Sequence, residues 1–340
     1  MPINVFTSIA RAVNRGPEDK LRILSFSVHE GFQTEMARTG QQFIHVESPE
    51  GKTWDQDYRS MPHNIIEMGF ENFMQTDAID LVISHTIPQR ESIDAFCKSI
   101  NVPHVCLMHC YPIPDWSDIF KEEVKGKNSA DWNVFTTEDS MNEWGYSDSE
   151  NSSVIHHGID LNHFSGWVGP GENGTLRRIL TVANDYRERS VELGYDRYEQ
   201  IRATFGEQGQ QLFLHLGKSP DGWSNPAESY DKLAEAYQNC GVFLNTCHRS
   251  VLPTTLLEAM ATGMPVVSAS NPTISKLITN GENGFVTDNP EEMAHYLKII
   301  LENPELARKI GNGARESVSI FDTEIAAKSW NELFYSLILK

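Results

Sequence analysis

Val242-Phe243-Leu244-Asn245-Thr246-Cys247-His248-Arg249-Ser250-Val251-Leu252-Pro253-Thr254-Thr255-Leu256-Leu257-Glu258-Ala259-Met260-Ala261-Thr262-Gly263-Met264-Pro265-Val266-Val267 reads as strand, polar loop, helix, glycine stop and strand. The apolar run from Val242 is short enough for a strand. Gly263 ends the helix and Pro265 opens the next strand. A helix that starts near Thr254 leaves its first backbone N–H groups without intrahelical acceptors, and its dipole favours negative charge there. A phosphate suits that place. Glu258 lies about one turn inside the helix. From there a carboxylate reaches past the loop toward a sugar or ribose.

Outward from this segment the same alternation recurs. Upstream, Arg22–Val28, Gln42–Val46, Ile79–Ser84, Val102–Met108, Asn133–Thr137 and Ser153–Ile155 are expected as strands. A turn at Glu30-Gly31, a short helix to Arg38 and a helix over Arg90–Ser99 fall between them. The stretch Ser165–Thr175 is glycine-rich and reads as a linker. The pattern then restarts, with strands at Arg178–Val182, Leu212–Gly217, Val242–Thr246 and Pro265–Ser268. Helices are expected at Tyr195–Phe205, Ser229–Cys240, Thr254–Thr262, Glu291–Leu301 and Pro304–Ser317. Continuous apolar strands alternating with helices predict parallel sheets covered on both faces. The expected class is α/β, with two Rossmann-like doubly wound domains at 1–165 and 166–322. The amphipathic run Thr323–Leu339 predicts a last helix, within 323–340, that can pack on either domain, including back on the first.

Composition bounds the function. The chain has 340 residues, 39% hydrophobic and 22% charged, enough for two globular domains with their own cores. No apolar run is long enough for a membrane span. Met1–Lys20 lacks the basic start, apolar run and cleavage site of a secretion signal, so a cytoplasmic location is expected. A net charge of −19 repels phosphate backbones and anionic headgroups. Nucleic acid is therefore disfavoured as a partner, and membrane contact is expected to be peripheral at most. The five cysteines (Cys97, Cys106, Cys110, Cys240, Cys247) contain no CxxC pair and do not form a disulfide framework. Cys106 and Cys110 lie near His104 and His109 without metal-ligand spacing, and buried strand thiols are the better reading.

The wording of the opening stretch is more specific than its pattern. Leu256-Leu257-Glu258-Ala259-Met260-Ala261-x-Gly263-x-Pro265-Val266-Val267, continued by Asn280-Gly281-x-Asn283-Gly284-Phe285-Val286, resembles the donor-site signature of glycosyltransferase family 4 (glycosyl transferases group 1). The resemblance implies a GT-B fold, whose two domains face across a cleft, and a retaining glycosyltransferase activity. Val154-Ile155-His156-His157-Gly158-Ile159-Asp160 is similar to the family's crossing into the second domain, with His157 where asparagine is usual. Leu107-Met108-His109 resembles the strand end whose histidine lies beside the donor sugar, which makes His109 a catalytic candidate. His85, ending the preceding strand, is expected to be a satisfied polar residue lining the cleft.

The same resemblance places the phosphate-binding groups. In Leu180–Arg189, Asn184 stands at the family's arginine and Arg189 at its lysine. Arg189 can neutralise a leaving diphosphate through bidentate bonds. Arg187 is either a second phosphate ligand or a solvated loop charge, the latter preferred. Gly217-Lys218-Ser219-Pro220 is similar to the turn that holds the nucleotide base, though Lys218 reads equally well as an exposed loop lysine. His29-Glu30-Gly31-Phe32 resembles a shortened form of the family's glycine-bearing loop, an acceptor or phosphate contact through Gly31.

One departure bears on the donor. The family signature carries two glutamates, and the first falls on Ser250. Serine still hydrogen bonds, but not as a carboxylate. Either the donor sugar differs, a neighbour such as His248 compensates, or the enzyme is impaired; with Arg189 and Glu258 retained, altered specificity is expected. The expected catalytic residues are His109, Arg189 and Glu258. Donor or phosphate contacts are expected at Gly31, Gly217, Lys218, Ser250, Val251, Leu252, Thr254 and Thr255. No metal and no cofactor are expected. The partners implied are a nucleoside-diphosphate sugar of UDP or GDP type and a glycan or other hydroxyl-bearing acceptor. The implied reaction is front-face transfer, in which positioning and stabilisation of the leaving charge dominate. A 2-epimerase would need acidic groups beside the sugar, which position 250 lacks. The other alternative is a degenerate protein that binds a sugar nucleotide or glycan without turnover.

Overall fold

The computed structural model describes residues 14, 16, 19–26, 30–46, 54–69, 72, 78–85, 87–169 and 178–338. The chain divides into two compact units, Met1–Gly158 with Thr323–Lys340, and Ile159–Asp322.

In the first unit the strands are β1 (Arg22–Phe26), β2 (Gln42–Val46), β3 (Ile65–Met68), β4 (Leu81–Ser84), β5 (His104–Met108), β6 (Trp132–Phe135) and β7 (Ser152–Val154). They form one sheet in the order β3-β2-β1-β4-β5-β6-β7, and each pairing is parallel. In the second unit, β8 (Ile179–Val182), β9 (Phe213–Leu216), β10 (Val242–Asn245), β11 (Val266–Ser268) and β12 (Phe285–Val286) form a parallel sheet in the order β12-β11-β10-β8-β9. The expected α/β class with parallel, doubly wound sheets is what forms. Strands such as β5 and β10 are buried at every residue, which explains their unbroken apolar reading.

The order of each sheet tells where a ligand can enter. Chain direction along the sheet reverses between β1 and β4 in the first unit and between β8 and β10 in the second. Loops leaving the carboxyl ends of such a strand pair diverge to opposite faces and leave a crevice. His85 follows β4 at one crevice. Asn184–Arg189 and Thr246–Pro253 follow β8 and β10 at the other.

Several expectations on elements need correction. The glycine-rich stretch is not the joint between the units. Ile159 already donates its N–H to the Phe321 carbonyl at 2.7 Å and bridges to Asp322, so the second unit closes there. Ser165–Gly169 packs on that unit: Trp167 donates from its backbone to the Thr262 carbonyl and from Nε1 to the Cys240 carbonyl. Residues 170–175 of the expected linker lie outside the described residues, as do Ser27 and Val28 of the first expected strand. Strand β3 was not expected. It is a partly exposed edge strand, too short for its alternation to stand out. Helices Asp118–Gly126 and Pro272–Leu277 were not expected either, yet each carries a side-chain cap. Ser117 Oγ accepts the Phe120 N–H, and Asn271 Oδ1 accepts the Ile274 N–H.

The last helix, Thr323–Ile338, groups with the first unit. Trp330, Leu333 and Phe334 join Phe32, Met36, Ile83 and Leu107 in its core. Asn331 and Gln41 fix the register through bonds of 2.8 and 2.9 Å, the second to the Thr39 carbonyl. Gly158 has no room for a side chain here, since a Cβ would come within 2.8 Å of Thr323 Cα. The chain thus leaves the unit and re-enters it at a single contact.

Candidate functional site

In the second unit the helix Thr254–Thr262 begins with Pro253 in an extended conformation and without a side-chain cap. Its first internal bonds run from the Leu256 and Leu257 N–H groups to the Pro253 carbonyl. The N–H groups of Thr254 and Thr255 therefore come before the first intrahelical bond, the arrangement that suits an anion. Val251 and Leu252 are buried in the core. Of these two, only the backbone can meet a ligand. The loop is pinned by Asn271, whose Nδ2 donates to the Ser250 carbonyl at 2.8 Å. Ser250 itself is half-buried beside His248 and Arg249.

Glu258 sits one turn in, with 9% of its surface exposed. Tyr237, fully buried on the helix Tyr230–Asn239, donates its hydroxyl to Glu258 Oε2 at 2.9 Å. That bond holds the carboxylate in one rotamer and offsets part of the cost of burying it. His248 Nδ1 is buried without a hydrogen-bond partner among the described residues. Burial, followed by the positive charge of Arg197, pushes the His248 pKa down and favours the neutral ring.

Two arginines flank this loop. Arg189 is 53% exposed and pairs with Glu192 at 3.0 Å. To serve a diphosphate it must exchange that partner, at small cost for an exposed pair. Arg197 was not anticipated. It lies on the helix Tyr195–Ala203, donates to the Thr246 carbonyl at 3.1 Å and pairs with Asp288 at 3.2 Å. Nothing in its sequence context marks it, because the sheet alone brings it to the end of β10.

Arg187 is a partly exposed charge, as the preferred reading has it, but one with surface partners. Its guanidinium pairs with Asp221 at 2.7 Å and lies over the Trp223 ring, 4.4 Å from the centroid. Its Nε also bonds the Tyr195 hydroxyl. Asn184, at the family's arginine position, is a staple: its Oδ1 accepts the Lys218 N–H at 2.8 Å. The Asp185 N–H bonds the Lys218 carbonyl in return. The turns after β8 and β9 meet so closely that a Cβ on Gly217 would run into the Ala183 carbonyl. The Lys218 side chain is exposed.

In the first unit, Gly31 is not in a turn but in the first turn of the helix Glu30–Ala37. His29 lies outside the described residues. His109 follows β5, and its Nε2 is 3.1 Å from Nδ1 of His85. His85 is buried and also bonds Ser25 Oγ at 2.8 Å, so it is satisfied, but by the candidate catalytic histidine. A second set, Ser84, His104 and Asp94, is linked in the sense of a nucleophile, base and carboxylate. All three are buried, and Ser84 has no exposed surface. They join β4 and β5 to the helix Ile87–Ile100 and offer nothing to a substrate. Among the described residues no group of three or more His, Cys, Asp or Glu is arranged to hold a metal ion. The triplet Asp55-Gln56-Asp57, which has the Asp-x-Asp spacing of some metal sites, is an exposed turn. There the Asp55 carboxylate accepts the Tyr58 N–H. The cysteines are free thiols, and four of the five are buried. No described helix is long and apolar enough to cross a membrane.

Several known proteins resemble this chain. Residues 225–317 match the family model described as glycosyl transferases group 1. That segment belongs to the glycosyl transferases group 1 family. It holds Ser250, the helix Thr254–Thr262 and the Asn283-Gly284 turn. The chain is similar to alpha-monoglucosyldiacylglycerol synthase of Acholeplasma laidlawii, 30% identical over 104 residues, which are 31% of this chain and 26% of that protein. It is also similar to D-inositol 3-phosphate glycosyltransferase of Streptomyces coelicolor, 22% identical over 234 residues, 56% of this chain and 51% of that one. The chain thus spans from a quarter to half the length of these two relatives. Among solved structures, Anabaena Alr3699/HepE in complex with UDP and glucose superposes with a TM-score of 0.70 at 14% identity. The likeness covers 93% of this chain and all of that one. At that identity it shows the fold, which is GT-B.

Proposed function

We propose that the chain is a retaining glycosyltransferase that moves a sugar from a nucleoside-diphosphate sugar to an acceptor hydroxyl by a front-face mechanism without a metal. The observation that carries this reading is the opening of the helix Thr254–Thr262, inside the group 1 segment. The N–H groups of Thr254 and Thr255 precede the first intrahelical bond of a helix without a side-chain cap, and the Tyr237-bonded Glu258 lies one turn behind them. The diphosphate is received by those amides, while Arg189 leaves Glu192 to neutralise the charge that develops on departure. Glu258 accepts from donor hydroxyls. The family resemblance of their stretches assigns His109 to the donor sugar and Gly31 to an acceptor or phosphate, and Gly217 and Lys218 to the base. Ser250 replaces a carboxylate with a hydroxyl, so the donor is one whose hydroxyl pattern does not need that charge. The acceptor is a glycan or another hydroxyl compound. Relatives named for diacylglycerol and undecaprenol-linked substrates favour a lipid-borne one.

The test is a panel of UDP-, GDP- and ADP-sugars scored by thermal shift and by release of the free nucleotide. One donor should raise the melting point and release its diphosphate, with the anomeric configuration kept in the product. Arg189→Ala should lower kcat by about 10²–10³. Glu258→Ala should abolish both donor binding and release. Binding without release for every donor and acceptor mixture would overturn the reading in favour of a non-catalytic sugar-nucleotide binder.

A further inference from the structure

Three imidazoles surround one phenyl ring in the first unit. Phe32 meets His85, His109 and His157 edge-on, with ring centroids 5.4, 5.1 and 5.6 Å away and planes at 78°, 89° and 80°. The imidazoles are in turn nearly parallel: His85 to His109 at 5.4 Å and 23°, His109 to His157 at 5.6 Å and 13°. The outer rings are each anchored. His85 Nε2 bonds Ser25 Oγ at 2.8 Å, and His157 Nδ1 lies 3.5 Å from Glu35 Oε2. Glu35 Oε1 accepts the Gly158 N–H, so that carboxylate is itself fixed. Ser25 and His85 are both buried.

A neutral imidazole has one N–H and one lone pair. Both nitrogens of His85 are engaged, so the hydrogen directions along Ser25, His85 and His109 depend on one another. If Ser25 donates to Nε2, then Nδ1–H of His85 donates to Nε2 of His109. If His109 carries its hydrogen on Nε2, the whole series reverses. We infer that His85 is a positioning residue that sets the tautomer and ring orientation of His109, with Ser25 as its anchor. The inference rests on the reading above, in which His109 borders the donor sugar. The Phe32 ring, packed against all three imidazoles, prevents the rotations that would break the series. A lone strand-end histidine would hold neither its orientation nor one tautomer.

The decisive experiment reads the imidazoles directly. Protein labelled with ring-15N histidine is observed by two-bond proton–nitrogen correlation, which distinguishes N–H from bare ring nitrogen. His109 should show one tautomer in the wild type and an averaged pattern in His85→Leu. His85→Asn, whose amide reaches the place of Nδ1, should restore the single tautomer. A folded His85→Leu protein with the wild-type His109 pattern would overturn the inference. If His85→Leu does not fold, Ser25→Ala decides: a shifted His109 pattern supports the inference and an unchanged one overturns it. With a donor that is turned over, kcat should fall roughly tenfold or more in His85→Leu at nearly constant donor KM, and recover in His85→Asn. Equal losses in both variants would count against positioning. A wild-type protein that turns over no donor refutes the functional reading, and the nitrogen spectra still decide this one.

Discussion

Glu258 and its partner show how far single residues can be read from the chain. Its place one turn inside a helix was legible from Leu256–Val267 alone. Its partner Tyr237 was not, because the two meet through the packing of separate helices. Tyr237→Phe should cost about 1.5–3 kcal/mol in urea unfolding, the range for a hydrogen bond to a charged group. It should also weaken donor binding, since the carboxylate loses its fixed rotamer; unchanged affinity would mean Glu258 is held by other contacts. Gly217 is a different case. Sequence marked it as a ligand contact, whereas in the fold it is first of all the one residue that lets the turns after β8 and β9 touch. Gly217→Ala should destabilise the protein by about 1–3 kcal/mol through overpacking, seen as a lower thermal midpoint even without donor. The partners of Arg187 were not legible, because Asp221 and Trp223 lie on another turn. Local context cannot show such partners.

Among elements, the helix Thr254–Thr262 was predicted with its observed bounds, because a polar loop, an apolar run and a glycine stop are all local signals. Gly263 caps it at φ 89°, the left-handed region that favours glycine. The tertiary structure adds the reason for Gly311 in the helix Pro304–Ser317. A Cβ there would run into the Gly263 carbonyl, so the two helices approach through a pair of glycines. Gly311→Ala should therefore destabilise the second unit by about 1–3 kcal/mol. Alanine at an open helical position would instead stabilise by about 1 kcal/mol, so the sign of the change in a urea titration checks this contact. The Asn280–Val286 motif is likewise structural. Asn283 bonds the Thr279 N–H, the Leu277 carbonyl and Ser317 Oγ, tying the turn to the same helix. Strand β3 and the capped short helices escaped prediction because a few residues carry too little periodicity.

At the scale of the whole molecule, two histidines, His45 buried and His215 partly buried, set an acid limit. Burial lowers His45 to about 3 and His215 to about 4, the latter aided by the charge of Arg187. In the unfolded chain both titrate near 6.5. The unfolded state therefore binds more protons below that value. Stability is unaffected above pH 6.5 and falls as pH drops from there toward 3 to 4. For His45 the slope approaches ~1.4 kcal/mol per pH unit. Urea midpoints should fall between pH 7 and pH 5, and less steeply in His45→Phe. Parallel pH curves for the two proteins would exclude this origin. The division into units shows the same split between local and distant causes. The sequence by itself determined two parallel α/β sheets, the helix start at Thr254, the family likeness of residues 225–317 and the departure at Ser250, because periodicity, caps and motif wording are properties of neighbouring residues. Only the tertiary structure decided where the units part, that Trp330 and Phe334 return to the first core, that Arg197 reaches β10, and that His85, His109 and His157 gather round Phe32. Those outcomes depend on strand order and helix packing, which join residues far apart in the chain and leave no local signal in it.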